Sequence, residues 1–168
     1  SVPRIPGIDN TLDAWDVLKN PKLVNGRVLI AGGGLVGCET AELLALNGYK
    51  VGIIEMMDTI AKEESKTILP TMMSEFKKYD VKIYTLHKIV EIKKNGIETQ
   101  VVDKDGNIIN NEFIEGDTII RALSSKKNKL DIEGITANII YAGDCKDGVP
   151  CTIENAVKSG YDAANSLN

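Results

Sequence analysis

The chain is poor in the residues that most reactions and most scaffolds draw on. It has one histidine, His87, one tryptophan and three cysteines in 168 residues. A lone histidine between Leu86 and Lys88, at the edge of an apolar run, reads as structural or solvated rather than catalytic. Cys38, Cys145 and Cys151 are odd in number and contain no C-x-x-C pair. They read as thiols of a reducing compartment, not as a disulfide frame or a metal site. No apolar run approaches the ~20 residues of a membrane span. The first ten residues lack the basic start and apolar middle of a signal peptide. The expectation is therefore a cytoplasmic chain with no membrane contact. The formal net charge is −4 and the lysines are scattered, so there is no basic face for nucleic acid. Repeats and low-complexity tracts are also missing. What is left is an ordinary soluble composition, 43% hydrophobic and 26% charged, in about one domain's length.

Glycine, by contrast, is concentrated. Gly32-Gly33-Gly34-Leu35-Val36-Gly37 follows the apolar strand-like run Arg27–Ala31 and opens an apolar helix expected over Leu35–Asn47. Gly48 stands where a helix ends in a left-handed turn, and a second strand is expected over Lys50–Glu55. A tight turn needs one glycine, not four. The order strand, G-x-G-x-x-G, helix, strand gives each a reason. Gly32 makes the exit from the strand, Gly34 leaves room for a pyrophosphate at the backbone, and Gly37 lets the helix pack on the sheet. The helix start offers unpaired N–H groups and a positive dipole end. Glu55 comes 18 residues after Gly37, at the end of the second strand, where a carboxylate can accept both ribose hydroxyls of an adenosine. It would repel a 2′-phosphate, and Met56, Met57 and Asp58 follow it without an arginine. The pattern points to NAD rather than NADP.

The flanks sort by their own signals. Residues 1–10, with two prolines and a glycine, read as extended, and residues 1–24 as a connector containing a short helix, Thr11–Leu18, capped by Thr11. A third helix is expected over about Lys66–Tyr79, with Pro70 near its first turn, then a strand at Val81–Thr85. Ile89–Ile92, Ile97–Val102 and Ile108–Ile114 form a strand meander signalled by Asn95-Gly96 and Asp105-Gly106. Asp117–Leu123 and Ile139–Ala142 read as further strands and Thr152–Leu167 as a last helix.

The stretches "PRIPGID", "AWDVL", "GRVLIAGGGLVGCETAELLALNGYKVGIIEM", "GDTIIRAL", "IIYAGDC" and "TIENAVKSGYDAA" together resemble the carboxyl-terminal region of the 2-enoate reductase and 2,4-dienoyl-CoA reductase type of NADH:flavin oxidoreductase. The resemblance implies an α/β fold: a Rossmann-like three-layer NAD-binding domain of parallel sheet, helices and antiparallel β-meander over residues 25–135. It also implies the tail of an FAD-binding domain over residues 136–168, without its front half. The cofactor-binding residues would be Gly32, Gly33, Gly34, Leu35, Val36, Gly37, Glu39, Glu55, Met56, Ser124, Gly143 and Asp144. Glu39 resembles a glutamate near the nicotinamide; the alternative for it is a solvated helix carboxylate. Gly143-Asp144 resembles the turn that holds the ribityl or phosphate part of FAD. Ser124 stands where the family has a glycine close to the cofactor.

In the parent enzyme so implied, NADH reduces FAD. Electrons then pass through an iron–sulfur cluster to FMN, which reduces an activated C=C bond. FMN and the cluster would lie outside this chain, which alone is expected to be inactive and colourless. Two other readings stay open: a structural or ADP-binding domain, and a relative of NADH oxidases or disulfide reductases. The expected partners are the missing FAD-domain half and FMN barrel of the same parent, and another copy of the chain through residues 136–168.

Overall fold

The computed structural model describes residues 4–62, 68–123, 132–146 and 152–167. The chain divides into two compact units, Val2–Ser124 and Ser125–Asn168.

The first unit is built on a five-stranded parallel sheet. Its strands are β1 (Leu12–Asp13), β2 (Arg27–Ala31), β3 (Lys50–Ile54), β4 (Lys82–Tyr84) and, after a three-stranded excursion, β8 (Thr118–Arg121), in the order β1-β8-β2-β3-β4. The excursion is an antiparallel meander of β5 (His87–Lys93), β6 (Gly96–Val102) and β7 (Ile108–Glu115). Helices α1 (Ala14–Lys19), α2 (Leu35–Leu46) and α3 (Leu69–Lys78) complete the unit. The expected start of α3 near Lys66 falls outside the described residues.

Alternation along β2 explains the layering. Val28 and Ile30 join a core with Cys38, Ala41 and Leu44 of α2 and Met72 and Phe76 of α3. Leu29 and Ala31, pointing the other way, join Ile92, Ile97 and Ile114 of the meander. Central strands buried on both faces read as continuous apolar runs, as "RVLIA" and "KVGII" do. Helix, parallel sheet and meander form the three layers of the expected Rossmann-like fold.

Residues 4–24 are not a bare connector. Leu12 and Asp13 pair in parallel with Ile120 and Arg121 at the sheet edge, and Ala14 and Val17 of α1 are buried in the helix-side core. The helix begins later than expected. Asp13, not Thr11, caps it, accepting from Trp15 N–H at 3.0 Å, while the Thr11 hydroxyl turns back to Ile8 O at 2.7 Å. Asp13 is also held by Arg121 at 3.2 Å, a partner 108 positions away that local sequence does not reveal. Both hairpins exist, but with different turns: Gly96 pairs inside β6, and Asp103–Asn107 form a longer loop stapled by the Asp103 carboxylate.

The second unit carries α4 (Ile153–Asn165), capped by the Thr152 hydroxyl, which accepts from Asn155 N–H at 3.2 Å. Gly143–Cys145 form one 3-10 turn, and Gly143 N–H donates to the Ser159 hydroxyl of α4 at 2.7 Å. The strand expected at Ile139–Ala142 is absent: a strand exists through its ladder, and no described segment pairs with these residues. The units also part after residue 124 rather than 135. No described helix is long and apolar enough to cross a membrane.

Candidate functional site

The carboxyl ends of β2 and β3 meet at the glycine turn. Three of its four glycines are required by the fold. Gly32 has φ +110° and donates to Ile54 O at 2.9 Å; a Cβ there would lie 2.6 Å from Ala122 O. A Cβ on Gly37 would run into the Gly32 carbonyl oxygen, which is the close helix–sheet approach the spacing predicts. A Cβ on Gly33 would meet Ile60 Cγ2 at 2.7 Å.

Gly34 is different. Its φ of −69° and ψ of −176° suit any residue, and nothing stands within 4 Å of where its Cβ would be. The fold makes no use of the missing side chain. It is also the N-cap of α2 and supplies no capping group. Among the described residues, no protein acceptor meets the N–H groups of Gly34, Leu35, Val36 or Gly37. An uncapped helix start with open space before it is a cradle for an anion, and a Cβ would fill it.

Glu55 lies just past β3, half-buried. Its Oε2 accepts from Gly33 N–H at 2.8 Å and its Oε1 from Met57 N–H at 2.8 Å. A carboxylate has about four acceptor sites, so two remain for a ligand. The backbone beneath is fixed as well. Glu55 N–H donates to Tyr84 O, His87 N–H donates to Glu55 O, and Leu86 N–H donates to Met57 O, each at 2.9 Å. The turn Tyr84–His87 thus extends the ladder past the formal end of β3. Leu86 takes φ +58° to make this turn. His87 closes it, with Nδ1 2.6 Å from Thr85 O and Nε2 3.2 Å from Glu112 Oε2, a structural placement as expected.

Beside Glu55 lies a cavity of about 280 Å³ lined by Gly32, Ile54, Met56, Ile89 and Leu123, and by two cations, Arg4 and Lys88. A larger cavity of about 640 Å³ sits at the amino ends of β2 and β3, the wrong end for a ligand of a parallel α/β sheet. Met56, Met57 and Asp58 follow Glu55 along the sequence without a cation; Arg4 and Lys88 reach the same cavity through the fold.

The remaining candidates are scattered. Glu39 is exposed on α2, Leu35 is exposed, Val36 is half-buried and Met56 is exposed. Ser124 lies outside the described residues. Gly143 and the exposed Asp144 belong to the other unit. Cys38 is fully buried, donates to Gly33 O at 3.4 Å, and burial pushes its thiol up to about 12. It is packing for the turn, not a nucleophile.

Residues 1–137 match the family model of the pyridine nucleotide-disulphide oxidoreductases. The chain is 38% identical over 171 residues to the bilirubin reductase of Mediterraneibacter gnavus, covering 99% of this chain and 26% of that protein. It is 34% identical over 174 residues to the NADH oxidase of Thermoanaerobacter brockii, covering 96% and 25%. Among solved structures, a 2-naphthoyl-CoA reductase complex superposes with a TM-score of 0.78 at 25% identity, over 97% of this chain and 24% of that one. The chain spans about a quarter of the length of the curated relatives it matches.

Proposed function

Because this chain belongs to the pyridine nucleotide-disulphide oxidoreductase family, among relatives of the enoate and dienoyl-CoA reductase type, we propose that it is the NAD(H)-binding module of a multi-cofactor flavin oxidoreductase that serves reduction of an activated C=C bond. The observation that carries this reading is Gly34: a glycine whose side-chain position is empty, at an uncapped helix start, beside an anchored carboxylate.

The residues fit a dinucleotide. The N–H groups of Gly34, Leu35, Val36 and Gly37 hold the pyrophosphate. Glu55 accepts the hydroxyls of the adenosine ribose, and Met56 with the apolar cavity takes the adenine. Glu39, one turn into α2, orients the nicotinamide half, the half in which the family has a glycine where this sequence has Ser124. When bound, NADH supplies a hydride for a flavin. No group of this chain acts as acid, base or nucleophile; its part is to bind, orient and keep water away. In the second unit, Gly143 and Asp144 belong to the FAD site of the parent. FMN and an iron–sulfur cluster lie elsewhere in it, and the chain alone is inactive. The 34% identity to a protein named NADH oxidase supports a second reading, in which the same module serves an oxidase.

Calorimetric titration with NADH, NADPH and ADP in parallel tests the reading. NADH should bind more tightly than either of the others. Equal affinities for NADH and NADPH would sink the role given to Glu55. An ADP affinity equal to that of NADH would favour a structural or ADP-binding domain.

Self-association through residues 136–168 belongs to the same proposal. Ile153, Val157 and Tyr161 recur at helical spacing on α4 and are 85%, 68% and 70% exposed, and an apolar row of this kind is stabilised by burial. Light scattering should give twice the 18.3 kDa chain mass; a monomer at high concentration rules the association out.

A further inference from the structure

The segment before the first strand contributes to the cavity beside Glu55, and its course is fixed by packing. Pro6 C=O accepts from Ile92 N–H at 2.9 Å. Gly7 has φ +82°, and a Cβ there would collide with the Ile92 carbonyl oxygen. Ile5 and Ile8 pack against the core between sheet and meander. Arg4 is therefore held one residue from an anchored isoleucine, and it lines the cavity that contains Gly32 and Glu55. Arg4 is exposed, and its guanidinium makes no hydrogen bond or ion pair among the described residues. The fold gives this cation no work.

We propose that Arg4 is a positioning residue for the adenine of the bound dinucleotide, its guanidinium plane covering the purine held by Ile54, Ile89 and Leu123. This rests on the reading of the site as an NAD(H) site and deepens it. The ribose that Glu55 accepts carries its base on the neighbouring carbon, so the base must enter an apolar space adjoining Glu55, and this cavity is that space. A purine there has one face against aliphatic side chains. A planar, weakly hydrated cation is suited to the other, since guanidinium stacks on aromatic faces and an ammonium does so less well. Glu55 keeps its own partners, Gly33 N–H and Met57 N–H, and so does not draw Arg4 away into an ion pair.

The test is calorimetric, on the full chain, with NADH, NADPH and ADP. Arg4→Ala should weaken all three by a common factor of roughly 2- to 30-fold and leave the melting temperature unchanged. Arg4→Lys should fall with Arg4→Ala rather than with the unmutated chain. A lysine that restores full affinity would mean that charge alone is read, and overturns the stacking role. A loss confined to NADPH would mean that Arg4 reads the 2′-phosphate. A loss for NADH without one for ADP would place it at the nicotinamide end; either result, or no loss at all, overturns the proposal. If the unmutated chain binds none of the three, the dinucleotide reading itself fails, and that failure appears before any substitution is made.

Discussion

Gly34→Val should lose NADH affinity by at least about 100-fold, roughly 2.8 kcal/mol, while its circular dichroism stays that of the unmutated chain. The separation of the two effects is the point. At φ −69° and ψ −176° a valine meets no backbone penalty, and its Cβ enters open space. The protein loses only the small advantage of glycine over valine as an N-cap. The pyrophosphate loses its seat. The same substitution at Gly37 would drive a side chain into the Gly32 carbonyl and could not separate binding from folding. If Gly34→Val binds NADH as tightly as the unmutated chain, the phosphates lie elsewhere and the helix start is not their site.

The second large effect belongs to Glu55→Ala. A hydrogen bond to a charged group contributes about 1.5–3 kcal/mol, so NADH should bind roughly 10- to 150-fold more weakly. NADPH should lose far less, because the variant also removes the carboxylate that repels its 2′-phosphate. The preference between the two coenzymes should shrink accordingly. Part of the NADH loss will come through the protein, since the N–H groups of Gly33 and Met57 lose their acceptor. Glu55→Gln reduces that part: its one amide oxygen keeps an acceptor for one of the two N–H groups while discarding the charge. Parallel titrations of both variants with both coenzymes check the assignment, and an unchanged NADH-to-NADPH ratio in Glu55→Ala would remove Glu55 from the ribose.

Most of the site's framework is legible in the sequence because it is local. The strand, the glycine turn, α2 with its stop at Gly48 and the strand that follows occupy one run of about thirty residues, and each signal concerns neighbours along the chain. Glu55 follows from a fixed spacing. What local signals miss are the pairings between distant segments. Leu12 and Asp13 look like part of a linker until β8 arrives to pair with them. Asp13 caps α1 in company with Arg121, whereas Thr11, the residue that local propensity favours, bonds backward to Ile8. Arg4 reaches the Glu55 cavity only because the meander folds over the sheet and Ile92 catches Pro6. Ile139–Ala142 fail in the opposite sense: the composition of a strand is there, and among the described residues the ladder is not.

The bonds from Tyr84, Leu86 and His87 to Glu55 and Met57 have a kinetic and entropic consequence. The strand tip that we propose meets the ribose is not a loop waiting to be ordered. Its backbone is already committed on one side to the turn before β5, and its carboxylate on the other to Gly33. The conformational freedom that a mobile recognition loop would surrender on meeting its ligand is surrendered here when the chain folds. Arrival of a nucleotide then resembles docking against a finished edge, and departure requires no unlatching of the Glu55–Met57 segment.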